Sequence, residues 1–483
     1  MAENVNPVVL PADVAILAAQ NEANQAPSQK LPPGEWLKKN LFSTPGNSIV
    51  TIIVGAIAAA ALFFAARWVI DSDFQIVRTN LRSFMIGQFP RDELWRPWAS
   101  AYVLLAGIGL TSGALARSSY ELSVSQELPA EKESILGLAR RFWGIIAVMI
   151  FFVSFARTVL PFIGLAGAFA LVIVAREVGW RLPASVRRSA AFIGASLVVI
   201  STLVLSGTSH LGGLVLGLIA FIWVLREVGR RDLPAGITGI AMRVAPALLA
   251  AIVVYVIQRA IPHEGFGWED WGGLHITLFT TVVGITLGMP FGILLALGRR
   301  SDLPVLKTVS VLFIEFVRGV PLISLLLASG LLLPLFLPVD FDRPADLTLA
   351  IVVIMFFSAA YIAEIVRGGL QAVPKGQTEA AQASGMSAAS VQRLIVLPQA
   401  LRAVIPAMVG QFIALFKDTS LLSIIGILEF LRVSDTSNAQ PEFVGKGLAG
   451  VTYLFVALGY WAFAYTLSKE SRRLELKLGV GTR

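Results

Sequence analysis

GGLHITLFTTVVGITLGMPFGILLALG, residues 272–298, contains no Asp, Glu, Lys or Arg and is closed at once by Arg299 and Arg300. A helix rising 1.5 Å per residue needs about 20 such positions to cross a hydrocarbon layer of about 30 Å. The stretch therefore reads as a transmembrane helix. An open strand would leave amides unpaired in lipid, and the run lacks the in-out alternation of a membrane barrel.

Working outward, similar runs recur at 48–70, 98–116, 142–156, 158–175, 189–206, 211–225 and 240–258 before it, and at 308–337, 347–366, 402–428 and 448–468 after it. The expectation is an all-α polytopic membrane protein with about twelve transmembrane helices, the third, fourth and sixth runs being short. Composition agrees: 56% of residues are apolar and 14% charged, against about 45–50% and about 25% in soluble domains. The mean hydropathy is +0.74. A net charge of +8 belongs in such a chain to its loops and implies no nucleic-acid partner. The absence of cysteine excludes disulfides, thiolate zinc sites, iron–sulfur clusters and a cysteine nucleophile. Three scattered histidines, His210, His263 and His275, read as interfacial residues, so no metal site is expected.

Orientation follows from the retention of positive charge in short cytoplasmic loops. With the N-terminus inside, the interior segments hold 26 Lys and Arg and the exterior segments 9, while Arg67, Arg243, Arg318 and Lys417 lie within spans. Both ends are expected in the cytoplasm. Residues 1–47 read as a polar cytoplasmic tail without the pattern of a signal peptide, and 471–483 as a basic cytoplasmic C-terminus. Exterior segment 71–97 is balanced in charge, and Trp95 and Trp98 suit interfacial anchoring. The Pro-, Gly- and Trp-containing break at 259–271 divides an accessory transmembrane region, 48–270, from a core, 271–470.

Between the tenth and eleventh runs lies VPKGQTEAAQASGMSAASVQRLIVLPQA, residues 373–400. It is too polar to span. The Ala-rich stretch 377–384 favours a short helix, Gly385 a tight turn, and 387–397 a second short helix stopped by Pro398. Small residues offer a surface that another protein can approach closely, and Leu394, Ile395 and Leu397 can hold the pair of helices against the membrane domain.

These residues resemble the cytoplasmic signature of ABC importer permeases, E-A-A-x₃-G-x₉-I-x-L-P, which Glu379, Ala380, Ala381, Gly385, Ile395, Leu397 and Pro398 match throughout. HITLFTT (275–281), the Glu-Phe-Val-Arg-Gly-Val-Pro-Leu run (315–322), AYIAEIVRGGLQAVPKGQ (360–377), LPQALRAVIP (397–406) and Lys-Asp-Thr-Ser-Leu (417–421) resemble its polar amino acid branch. Val320 departs from that branch, which usually has Thr there; the turn chemistry is kept. WLKKNLFSTPGN (36–47) and FMIGQFPRDELWRP (84–97) are similar to elongated permeases for general L-amino acids or for acidic and amide amino acids. The resemblance implies a C-terminal five-helix type I ABC importer permease core, over about residues 270–470, in a bacterial inner membrane.

No segment fits the phosphate-binding pattern G-x-x-x-x-G-K-[ST]; Gly445 and Lys446 are followed by Gly447. The chain is therefore expected to be a transport subunit rather than an enzyme, with no cofactor of its own. The family implies two copies of an ABC ATPase subunit carrying ATP and Mg, each gripping a coupling loop, a second permease subunit of a different homologous chain, and a periplasmic amino acid binding protein. Membrane lipid surrounds the spans.

An amino acid passing through low dielectric needs partners for its carboxylate and its ammonium group. The candidates are Tyr361, Glu364, Glu315, Arg318, Lys417 and Asp418, with Tyr361 and Glu364 placed first because their i, i+3 spacing puts them near one helical face together with Arg367. Beside this stands a plainer reading. Glu315 with Arg318, Glu364 with Arg367 and Lys417 with Asp418 would be ion pairs that make the spans tolerable in lipid, and Arg318 and Arg367 would snorkel near the cytoplasmic ends. A twelve-span chain also suits an ion-coupled secondary transporter of small polar solutes, but segment 373–400 has no counterpart in the first half.

Overall fold

In the computed structural model, residues 32–91, 94–125, 131–187, 237–260, 271–336 and 346–478 are described, with isolated helical positions between 193 and 224. Apart from those positions, the expected spans 189–206 and 211–225 lie outside the described residues, as do His210 and His263. Every regular element among the described residues is helical, apart from two isolated bridges, Gly87 with Trp271 and Gly273 with Glu429. The chain divides into two compact units, Met1–Ser72 and Asp73–Arg483.

The first unit contains α1 (Pro33–Asn40) and α2 (Pro45–Asp71). Thr44 caps α2 by accepting the Asn47 N–H at 3.1 Å, and Pro45 opens the helix where a missing N–H costs nothing. None of its residues is buried. An apolar helix exposed on every side is suited to lipid.

The second unit begins with α3 (Gln75–Ile86), α4 (Trp95–Ser125), α5 (Ile135–Arg141), α6 (Trp143–Ser154), α7 (Leu160–Arg181), α8 (Ala184–Arg187) and α9 (Ile237–Ala260). It continues with α10 (Gly273–Arg299), α11 (Pro304–Gly319), α12 (Leu322–Leu331), α13 (Asp346–Ala372), α14 (Lys375–Ala383) and α15 (Ala388–Val391). The last three helices are α16 (Leu397–Asp418), α17 (Arg432–Asn438) and α18 (Ala449–Leu478). Among the described residues seven helices are long and apolar enough to cross a membrane, or nine if the bent pairs α5–α6 and α11–α12 each make one span.

The run 308–337, expected as one span, is instead broken between α11 and α12 by a bend of 101°. Pro321 supplies no N–H to the preceding turn and forces Val320 into an extended conformation, ψ 133°, so the helix cannot continue through them.

Helices α4 and α7 run side by side in the same direction, with Tyr102 donating to the Gly164 carbonyl at 3.0 Å near their starts, Gly113 against Arg176 further along, and the Tyr120 and Trp180 rings together near their ends. A Cβ on Gly113 would collide with the Arg176 carbonyl, and one on Gly179 with that of Leu110. Backbone meets backbone here, the packing that substitutes in lipid for hydrophobic driving force. Gly113→Val should therefore separate the two helices, lowering the detergent-solubilised melting temperature by several degrees. That figure corresponds to an overpacking cost of about 1–3 kcal/mol; a melting curve unchanged from the parent would contradict the close crossing.

In the core, Gly284, Gly288 and Gly292 on α10 face Ile354, Met355, Ser358, Ala359 and Ile362 on α13. Helix α6 runs antiparallel to α18, so that Phe152 stacks near Phe455, with ring centroids 4.2 Å apart, inside an apolar cluster that includes Phe84 and Phe430. At the far end of this pair Arg141 grips Glu470, its Nε donating at 2.8 Å, and Lys469 donates to the Arg141 carbonyl.

Candidate functional site

Segment 373–400 leaves α13 at Pro374 and forms α14, most of whose residues are exposed. The helix stops for a defined reason. Gly385 takes φ +80°, the Met386 N–H reaches the Ala381 carbonyl at 3.2 Å, and the Gly385 N–H reaches that of Gln382 at 2.9 Å. A left-handed residue closing two such bonds is the glycine-terminated helix end that the sequence reading expected.

The following helix differs from expectation. It is α-helical only over α15, widens to π-type turns over Gln392–Val396, and continues into α16 without stopping at Pro398. Pro398 lies in the first turn of α16, and the Leu397 N–H bonds to the Gln392 carbonyl five residues back. The wider turn accommodates a proline that would break an ordinary helix interior.

Ala381, Val391, Val396 and Ala400 are buried with Ala296 of α10, Ile314 of α11, and Ile362, Val366 and Leu370 of α13. Ile395 and Leu397 pack against the same cluster, half-buried. Glu379, Ala380, Gly385 and Pro398 face outward. The segment is thus fixed by its apolar side and presents small and polar groups on the other.

Beside it, the ends of α10, α11 and α13 assemble an ion network. Glu364 accepts from Arg367 Nε at 2.9 Å and lies 3.5 Å from Arg318 and 3.6 Å from Arg299. Arg299 also donates to Glu315 at 2.8 Å. The Arg318 guanidinium stands over the Tyr361 ring, 5.6 Å from its centroid, and its buried Nε has no hydrogen-bond partner. Glu364 with Arg367 is the expected i, i+3 pair. Glu315 with Arg318 is not: Glu315 turns to Arg299, and Arg318 to Tyr361 and Glu364.

Four of the six substrate-path candidates, Glu315, Arg318, Tyr361 and Glu364, are therefore gathered in one place. Lys417 and Asp418 are not. They close the opposite end of α16, about 30 Å along its axis from Leu397, and no ion pair joins them among the described residues. Neighbouring positions on a helix project about 100° apart, so adjacent charges do not face each other.

Two groups in the core went unnoticed in the sequence. Arg299 reads only as the stop after an apolar run. Glu429 follows the eleventh expected span, yet is fully buried; its carboxylate accepts the Leu431 and Arg432 N–H groups, both at 2.7 Å, and the Tyr460 hydroxyl at 3.1 Å. Phe430 N–H donates to Thr277 beside it. The carboxylate thus caps α17 and ties it to α18. Glu429→Leu would leave three donors unpaired, each costing about 1–3 kcal/mol, and is expected to abolish accumulation of folded protein, measured as monodisperse membrane extract; parental yield would contradict this role. Among the described residues no group of three or more His, Asp or Glu could hold a metal ion.

Residues 288–468 match the family model described as binding-protein-dependent transport system inner membrane component. The chain is 31% identical over 479 residues to the glutamate/glutamine/aspartate/asparagine transport system permease protein BztC of Rhodobacter capsulatus, covering 94% of this chain and 95% of that one. It is 47% identical over 215 residues to the inner membrane amino-acid ABC transporter permease protein YhdY of Escherichia coli K12, a match spanning 44% of this chain and 57% of that protein. A crystal structure of an amino acid ABC transporter with histidines aligns at 32% identity and a TM-score of 0.38, covering 42% of this chain and 92% of that one. The chain belongs to the family of inner-membrane permease components of ABC transporters. Its BztC relative is matched across the accessory helices as well as the core, so the N-terminal region is part of an elongated form of that permease.

Proposed function

We propose that the chain is the permease subunit of an ATP-driven, binding-protein-dependent importer that moves L-amino acids across the inner membrane by alternating access. The observation that carries this reading is the α14 surface: a short helix ended by a left-handed glycine, anchored from behind and open in front. Glu379, Ala380, Ala381, Gly385, Ile395, Leu397 and Pro398 form this handle, the outward-facing ones meeting a separate ATPase subunit and the inward-facing ones transmitting its motion to α10, α13 and α16.

Two such ATPase subunits supply ATP and Mg, a second, homologous permease chain completes the path, and a periplasmic binding protein delivers the substrate. Both termini are cytoplasmic. That orientation is supported by the charge bias of the loops.

Amino acids are the cargo named for BztC and YhdY. Within the network of Glu315, Arg318, Tyr361 and Glu364, Arg318 has a donor to spare and is the group suited to a substrate carboxylate, while Glu364 holds the guanidiniums in place. Lys417 and Asp418 would meet substrate at the other end of the path. Reconstitution with the partner subunits tests the reading. Enclosed ATP should drive amino acid uptake with ion gradients collapsed. Uptake on a proton or sodium gradient without nucleotide would overturn it.

A further inference from the structure

The ends of α4, α7 and α8 border an open cleft of about 390 Å³ lined by Arg117, Glu121, Trp180, Arg181, Pro183 and Arg187, among others. That volume falls in the range of about 300–1,000 Å³ common for small-molecule sites. Its charges do not balance. Glu121 accepts from Arg117 Nε at 2.9 Å and from Arg187 Nη2 at 2.6 Å, whereas Arg181 pairs at 3.0 Å with Glu177, which also holds Lys132 at 2.7 Å. Three guanidiniums, Arg117, Arg181 and Arg187, thus line the cleft with one carboxylate, Glu121.

Arg187 is the telling member. Only 7% of its side chain is exposed, and its Nε has no hydrogen-bond partner among the described residues. A buried cationic donor left unpaired is costly unless an anion completes it. The Trp180 indole forms one wall, with Arg117 and Lys132 over it at 5.4 Å and 5.0 Å from the ring centroid. On the same turns of α4 and α7, Leu122, Val174 and Val178 are exposed apolar side chains. A ligand that meets both surfaces has an anionic head and an apolar tail.

We propose that this cleft binds the phosphate of an anionic glycerophospholipid, with Arg117 and Arg187 as its principal donors and Trp180 against the headgroup. Basic pockets between transmembrane helices at the headgroup level serve such lipids generally. The site is separate from α14 and from the Glu364 network, so it stands or falls independently of the transport reading.

Native mass spectrometry of the full-length chain, titrated with dioleoylphosphatidylglycerol or dioleoylphosphatidylcholine, tests it. Phosphatidylglycerol should be retained in preference to phosphatidylcholine. Arg117→Gln and Arg187→Gln should each weaken it about fivefold, and together about 30-fold. Arg187→Lys should recover most of the affinity. Glu121→Gln, which removes the competing carboxylate, should tighten binding about fivefold, an increase that misfolding cannot produce. Equal retention of the two lipids, or unchanged phosphatidylglycerol binding in the double variant, would overturn the proposal. Displacement of phosphatidylglycerol by millimolar inorganic phosphate would reassign the site to a soluble anion and overturn the lipid assignment.

Discussion

Gly385→Asp is expected to reduce ATP-driven uptake by about tenfold or more while the chain remains inserted and folded. The residue is exposed, and a Cβ placed on it meets nothing within 4 Å. The chain itself therefore offers no steric resistance. Its φ of +80° is left-handed, a conformation that Asp and Asn visit more readily than other non-glycine residues, at a cost of roughly 1–2 kcal/mol. What changes is the docking face, where a carboxylate would lose water on contact with the ATPase without gaining a partner. An unpaired charge of that kind commonly costs about 2–5 kcal/mol in an interface. Gly385→Asn separates charge from backbone: it keeps the tolerance for positive φ and should retain several times more uptake than the Asp variant. Wild-type uptake by the Asp variant would remove the turn from the docking surface.

The second large effect is expected from Glu364→Gln. Three guanidiniums converge on Glu364, whereas Glu315 accepts a hydrogen bond from Arg299. Removing the charge leaves a half-buried cluster with two surplus cations instead of one. Because Glu364 is 25% exposed, the loss in stability should fall between the values for surface and buried pairs, on the order of 1–3 kcal/mol. The transport consequence has a sign. With less competition for Arg318, uptake should shift toward acidic over basic amino acids by about tenfold, the equivalent of about 1.4 kcal/mol from one added unit charge nearby. The ATPase subunit should stay bound, since α14 is untouched. Identical kinetics for acidic, neutral and basic amino acids would exclude Glu364 and its partners from the substrate path.

Much of this architecture was legible in the sequence because the physics was local. The apolar lengths that became α2, α10, α13 and α18 are set by bilayer thickness, and the turn after α14 is announced by Gly385. The bend at Pro321 was hidden because apolar residues continue on both sides, so composition alone carries the run through it. The passage through Pro398 is hidden for the converse reason: a proline signals a stop, but π-type turns over Gln392–Val396 let the helix proceed. Non-local pairings were not legible at all. Arg299 and Glu364 are 65 positions apart, and only the glycine-lined crossing of α10 and α13 brings their ends together. Glu429 gives no signal in the sequence because it follows the apolar run instead of interrupting it, although it is among the most buried charged groups described.

The absence of cysteine makes the central claim open to direct measurement. A single cysteine in place of Gln382, exposed on α14, can be labelled with benzophenone maleimide, which inserts into C–H bonds of whatever protein it touches when the assembled complex is illuminated. If the α14 surface is where a nucleotide-driven subunit takes hold, this position should give a covalent adduct with the ATPase, with a yield that changes when ATP binds. A cysteine at Gln382 that labels freely in the complete complex, forming no adduct in any nucleotide state, would contradict the account.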